Sequence, residues 1–150
     1  RVGMDRLITT GLLAANNLSD LANAATARTN LGGGANKIVL NVGTISTKGA
    51  DAAVIRVVSP VAGTIDKVWS VLNAALATGD ATLTGKIGAD AITNGVITIT
   101  QAGSAAGDVD SATPSAAKTV AAGDVISFTG GGTSTATSTA TVSLLITPTA

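Results

Sequence analysis

The sequence predicts a mainly β protein: a short N-terminal helical arm, residues 1–34, ahead of an eight-stranded antiparallel β-sandwich over residues 35–150, in jelly-roll or other Greek-key order. Three observations carry this. From Lys37 onward apolar residues recur with a period of two, as they do on strands with one buried face. Glutamate, an abundant helix former, is missing, and all nine acidic residues are aspartate. The one stretch with helical periodicity, NNLSDLANAATARTNLGGG at 16–34, is short and closes on three glycines.

In that arm Asn17 can cap a helix, because its side-chain oxygen accepts from a free amide of the first turn. Asp20 follows where the helix dipole favours an anion, and Arg28 lies near the end where it favours a cation. Leu18, Leu21, Ala22 and Ala25 form one apolar stripe, with Asn23 and Thr26 facing away. About three turns of isolated helix are marginal in water, so the stripe needs a partner. Ahead of it, residues 1–15 begin basic and carry a short apolar patch. Asp5, Thr9, Thr10 and Gly11 interrupt that patch before a signal-peptide core forms.

The strands are expected in order. KIVLNV at 37–42 puts Ile38, Leu40 and Val42 on one face, and ATLTGKI at 81–87 puts Leu83 and Ile87 opposite Thr82, Thr84 and Lys86. AITNGVITIT at 91–100 reads as two strands joined at Asn94-Gly95, the preferred two-residue hairpin turn. That register pairs Ile92 with Ile97, buries Ile99 beside them and leaves Thr93, Val96, Thr98 and Thr100 outside. Further strands are expected at 53–58, 64–72, 124–129 and 139–147, the last with Ala140, Val142, Leu144 and Ile146 on one face. SPVAG at 59–63 and AAGD at 121–124 read as turns, and residues 101–118 as a long loop of small residues.

A chain of 150 residues suffices for one core. Formal charge is zero, 12% of residues are charged and 1% are aromatic, which leaves neither a basic stripe nor a stacking platform for nucleic acid. Mean hydropathy is +0.47. The apolar residues are nevertheless scattered among Thr, Ser and Gly, and no run approaches the roughly 18 residues of a membrane span. Without cysteine, stability must come from packing or assembly. The outward faces are rows of Thr, Ser and Ala with little protective charge, so a second surface buried between subunits is expected.

Histidine, cysteine and tyrosine are absent, which removes the usual general base, thiol nucleophile and imidazole ligand; no enzyme and no cofactor are expected. Asp108 and Asp110, two apart, have a spacing that can face Ca²⁺ but lack the later ligands of a calcium loop. They read as turn formers, as do Asp80 and Asp124 after their glycines. GGGAN at 32–36 and GGGTS at 130–134 lack the Lys-Ser/Thr ending of a phosphate loop and read as flexible connections. Trp69 and Phe128 are the large rings; Trp69 is taken as a packing centre, in the core or at an interface, with sugar stacking as the other use of such a residue.

The segment NNLSDLANAATARTNLG closely resembles one repeated across structural proteins of tailed bacteriophages, in tail fibres and in head-fibre or decoration proteins. Asn17, Leu18, Ser19, Asp20, Leu21, Ala22, Thr26, Ala27, Arg28, Asn30, Leu31 and Gly32 stand where such segments have them. It spans 17 of the 150 residues, and Gly33 and Gly34 replace the further apolar residue with which the pattern often continues. The stretches SPVAGTIDKVWSVLNAAL and ITNGVITITQAGSAAGDVDSATPSAAKTVAAGDVISFTGGGT are similar to small β-sandwich modules of the same head proteins.

The resemblance implies a non-enzymatic virion protein, a homotrimeric cement or head-fibre protein on the outer capsid surface whose partners are its own copies and the major capsid protein. Leu12, Leu13, Leu18, Leu21, Ala25 and Leu31 then form the capsid anchor and trimer interface, with Trp69 as packing centre and no metal, nucleic acid or membrane involved. The three glycines would uncouple the anchor from the sandwich. The alternative is a tail-fibre or tailspike subunit whose β domain binds a host glycan. A third reading, a carbohydrate-active enzyme or its binding module, needs paired carboxylates in a cleft.

Overall fold

The computed structural model describes residues 36–149, and from Lys37 onward they pack as one unit. The helical arm expected over 1–34, with its anchor residues Leu12, Leu13, Leu18, Leu21, Ala25 and Leu31, lies outside the described residues. Nine strands are described: β1 Ile38–Ser46, β2 Val54–Val58, β3 Gly63–Leu72, β4 Ala81–Ile87, β5 Asp90–Ile99, β6 Val109–Ala112, β7 Thr119–Val120, β8 Val125–Gly132 and β9 Thr139–Pro148. One 3-10 turn, Gly49–Asp51, is the only helical element among the described residues.

The strands form two antiparallel sheets. Sheet I has the order β1-β9-β3-β6, with β7 also on β3, and sheet II the order β2-β8-β4-β5. Only β4 and β5 pair as sequence neighbours; every other described pairing joins strands remote along the chain. The inner faces share one apolar core. Sheet I contributes Ile45, Ile65, Val68, Leu72, Val142, Leu144 and Ile146 among others, and sheet II contributes Leu83, Ile92, Ile97, Ile99, Ile126 and Phe128. β9 shows why the alternation works: Ala140, Val142, Leu144 and Ile146 are buried while Thr139, Thr141, Ser143 and Leu145 between them are not.

Strand number differs from the expected eight, for two reasons. Asn94-Gly95 does not turn the chain, and β5 runs straight through it. The hairpin turn is Gly88-Ala89, between the paired Ile87 and Asp90, with Gly88 at φ +57°. Asn94 does adopt the left-handed conformation a hairpin would require, φ +57°, but spends it on a bulge. Pairing with β4 jumps from Thr84↔Val96 to Lys86↔Ala91, so three extra residues sit on β5 and its parity changes. Ile92 and Ile97 are five apart on one strand and both are buried, with Thr93, Val96, Thr98 and Thr100 outside as expected. The freed Thr93 pairs instead with the segment before β7: its amide donates to Ala116 O at 3.1 Å and its carbonyl accepts from Ser115 N at 3.0 Å. Asn94 Nδ2 donates to Ser115 Oγ at 2.9 Å.

The second reason is the stretch 101–118, expected as loop, within which β6 forms along the edge of β3; β7 follows at its end. Gly130–Gly132 are likewise not a flexible connection. They end β8 and pair with Leu83, Thr82 and Ala81 of β4. A Cβ on Gly130 would lie 2.9 Å from Ser46 O, and one on Gly132, at φ +93°, would run into the Asp80 carbonyl.

Phe128, not Trp69, fills the centre of the core. It is fully buried, in register with Ile55 on one side and Gly85 on the other. Gly85 makes room for it, since a Cβ there would stand 3.1 Å from Phe128 Cε1. Phe128→Ala is therefore expected to cost about 3–5 kcal/mol of unfolding free energy, and Trp69→Ala clearly less. Urea denaturation followed by far-UV circular dichroism measures both, and equal losses would contradict this placement.

Candidate functional site

Trp69 lies half-buried on the outer face of sheet I. The cause is one extra residue in β3. Ile65 pairs with Ile146 and Lys67 with Leu145, so Asp66 is bulged and the parity of the strand changes after it. Ile65 and Val68 both point into the core, and Lys67 and Trp69 both point out. The spacing of Val68 and Leu72 was the signal for this: two inward residues four apart leave Trp69 on the other side.

Register assembles three rows on that outer face. Asn41, Ser143, Trp69 and Ser111 stand side by side across β1, β9, β3 and β6. Val39, Leu145 and Lys67 form the row on one side, and Thr44, Thr141, Val71 and Val109 the row on the other. Val39 is 67% exposed and Val109 62%. Lys67 Nζ sits 5.7 Å from the Trp69 ring centroid, a cation–π contact worth roughly 0.5–1 kcal/mol at an exposed site. The one side-chain hydrogen bond within these described rows joins Thr44 and Thr141 at 3.3 Å. Asn41, Ser143 and Ser111 make none there. The outer face of sheet II is different: it carries the exposed Val54, Val58, Val96 and Val125, with Arg56 and Lys86 in register on either side of Ser127.

The bulged Asp66 is tied down beside the aromatic row. Its carboxylate accepts from the Thr147 hydroxyl and pairs with Lys37 Nζ at 3.2 Å. The Thr147 hydrogen bond first, and then Lys37, hold its pKa below the usual aspartate value against a partial burial that raises it.

Asp108 and Asp110 have separate uses. In each of the two AAGD stretches the aspartate closes a turn on its own first residue: Asp108 Oδ2 accepts from Ala105 N at 2.6 Å and Asp124 Oδ2 from Ala121 N at 2.7 Å. Both aspartate amides donate back to that alanine's carbonyl at 3.2 Å, with Gly107 and Gly123 at φ +92° and +93°. Asp80 Oδ1 similarly accepts from Gln101 N at 2.8 Å. Asp110 is paired in register with Ser70, whose hydroxyl is buried without a partner. Burial, and then the Asp108 charge, push the Asp110 pKa up. Thr100, Ser104, Asp108 and Asp110 line a cavity of about 240 Å³. No group of three or more acidic side chains among the described residues is placed to hold a metal ion.

No known protein family, curated protein or solved structure matches the chain. The sequence named Trp69 but not Asn41, Ser143 or Ser111, because those three become its neighbours only through pairings between strands far apart along the chain.

The two shifted aspartates give stability effects of opposite sign. Asp66, with its folded pKa depressed, contributes stability above the unfolded value of roughly 3.9 that is lost as pH falls through the folded one. Asp110, with its folded pKa raised, contributes below the unfolded value and loses that contribution as pH rises through the folded one. Hence Asp66→Asn should be less stable than the parent at pH 7 and Asp110→Asn more stable, both differences shrinking in acid. Urea midpoints between pH 7 and pH 2 measure this, and differences independent of pH would refute both assignments.

Proposed function

We propose that this chain is a non-enzymatic structural protein of a tailed-bacteriophage virion, a homotrimeric decoration protein that grips the outer capsid surface through residues 1–34 and carries a β-sandwich outside it. The observation that carries the reading is the run from Asn17 to Gly32, which resembles the attachment segments of such proteins. A leucine stripe too short to stand alone is completed when copies pack together or onto a shell. Each buried leucine contributes about 1.5–3 kcal/mol, and three linked arms turn a modest site into a tenacious one.

The β domain is compatible with this. We read the strand order β1-β9-β3-β6 facing β2-β8-β4-β5 as a jelly roll in which β6 and β7 are one interrupted strand, giving the eight strands of that fold. Jelly rolls also serve many other functions, so the fold supports the reading only as an analogy. On the outer face of sheet II, the exposed Val54 and Val96 at the ends of one row and Val58 and Val125 in another, with Arg56, Ser127 and Lys86 between the two rows, offer a mixed surface through which copies can associate. A tail-fibre subunit would share the same N-terminal run, and an image of the particle separates the two by position.

Deleting residues 1–34 should leave a folded β domain that no longer joins particles, measured by co-sedimentation of the purified protein with undecorated capsids. Undiminished incorporation would overturn the anchor. The full chain should behave as a trimer in light scattering, and a dilute monomer would count against assembly through these surfaces.

A further inference from the structure

We propose that the outer face of sheet I is a binding site for an acidic polysaccharide, with Trp69 as the stacking platform and Lys67 as the partner of a sugar carboxylate. Sugar recognition requires an aromatic ring for the apolar C–H face and donors and acceptors beside it for the hydroxyls. Both are present in one row. Asn41 and Ser143 lie on one side of Trp69 and Ser111 on the other. All three side chains are without hydrogen-bond partners among the described residues, so they are available to a ligand. Three inter-strand spacings make the row about 14 Å long, enough for a short oligosaccharide laid across the strands.

Charge selects the class of sugar. Lys67 is the one ionised side chain in the three rows, and it is already placed over the ring. Lys37 and Lys48 are engaged with Asp66 and Asp51. The nearest carboxylate, Asp66, lies on the same face next to the Lys67 row, but it is bonded by Thr147 and its charge is paired with Lys37; Asp110 stands on the other face, in register with the buried Ser70. An anionic sugar therefore meets the unpaired cation of Lys67, with the one neighbouring carboxylate among the described residues already paired with Lys37, whereas a neutral sugar gains nothing from Lys67.

A protein partner fits the face less well. The centre of a protein interface is a desolvated apolar cluster, but here the residues flanking Trp69 in its row are polar. The most exposed valines stand at opposite edges, Val39 on β1 and Val109 on β6.

This site does not depend on capsid attachment, because it is tested on the free full-length chain. Trp69 is the only tryptophan and there is no tyrosine, so intrinsic fluorescence reports on this face alone. Titration with alginate, polygalacturonate and dextran oligosaccharides of matched length should give a saturable change in emission with at least one of the two polyuronates and weaker binding of the neutral dextran. Lys67→Gln should weaken the polyuronate by about tenfold, towards the dextran value, and added salt should act in the same direction. Asn41→Ala and Ser143→Ala should each weaken binding, and Trp69→Ala should abolish retardation in affinity gels containing the polyuronate, with circular dichroism confirming that each variant is folded. A change in emission that follows protein concentration instead of sugar would overturn the proposal in favour of a second copy of the chain on this face. So would the absence of a saturable response to all three probes, or polyuronate binding unchanged in Lys67→Gln.

Discussion

A single inserted residue, Asp66, decides which side of the sheet Trp69 occupies. Side chains alternate along a strand, so one extra residue exchanges the faces of everything beyond it. Were Asp66 paired regularly instead of bulged, Lys67, Trp69 and Val71 would share the inward face with Ile65, and a lysine would be buried without a partner. With the bulge, Val68, Ser70 and Leu72 go inward and the charged and aromatic residues go out. The insertion is itself anchored, since the carboxylate of the bulged residue bonds Thr147 on β9 and pairs with Lys37 just before β1. The same device recurs at Val42, where β1 pairs Asn41 with Ser143 and Gly43 with Val142, and at Asn94 in β5.

These local shifts matter because the global pairing tolerates no slip. β9 lies between β1 and β3 and supplies an unbroken inward series from Ala140 to Ile146. The register of each neighbour is therefore fixed by the need to meet that series with apolar side chains of its own. Nearly all described pairings are remote in sequence, so the chain must close long loops before contacts offset their entropy, which is the condition for slow folding. Sheet II has the one local hairpin, β4–β5, and the central ring Phe128 on the adjacent β8.

What the sequence made legible follows from the same geometry. Strands with regular alternation, β4 and β9, could be read with their faces. The stretch 64–72 was legible as a strand, but not the bulge that turns its aromatic outward. Asn94-Gly95 reads as a hairpin turn by residue type, yet hairpin turns and bulges draw on the same residues, and only the partner strand distinguishes them. β6 and β7 escaped notice because they are short edge segments, VDSA and TV, without an apolar series of their own. The triple glycine at 130–132 reads as flexible by composition, whereas it is the close approach of Ser46 at the end of β1 and of Asp80–Thr82 at the start of β4 that requires it. The turn role of Asp108 and Asp124 was legible, because an aspartate after glycine closing on a backbone amide three residues back is a local interaction; Asp110, expected as a turn former, instead lies in β6, and Asp80 accepts from the remote Gln101 amide.

The two outer faces divide the remaining chemistry between them. Sheet II presents exposed valines with two cations flanking a serine, and sheet I presents an indole between hydroxyl and amide groups without partners among the described residues, in a set of rows with one cation. Neither face has the dense mixed charge that ordinarily keeps a sheet surface solitary. Were copies held in a fixed array, as proposed above, the array would supply the local concentration that a single row of four side chains lacks. One tryptophan per copy is a weak platform in solution but an effective one when repeated. A scarcity of aromatic residues therefore argues against tight binding by one domain, and leaves avid binding by many domains physically consistent.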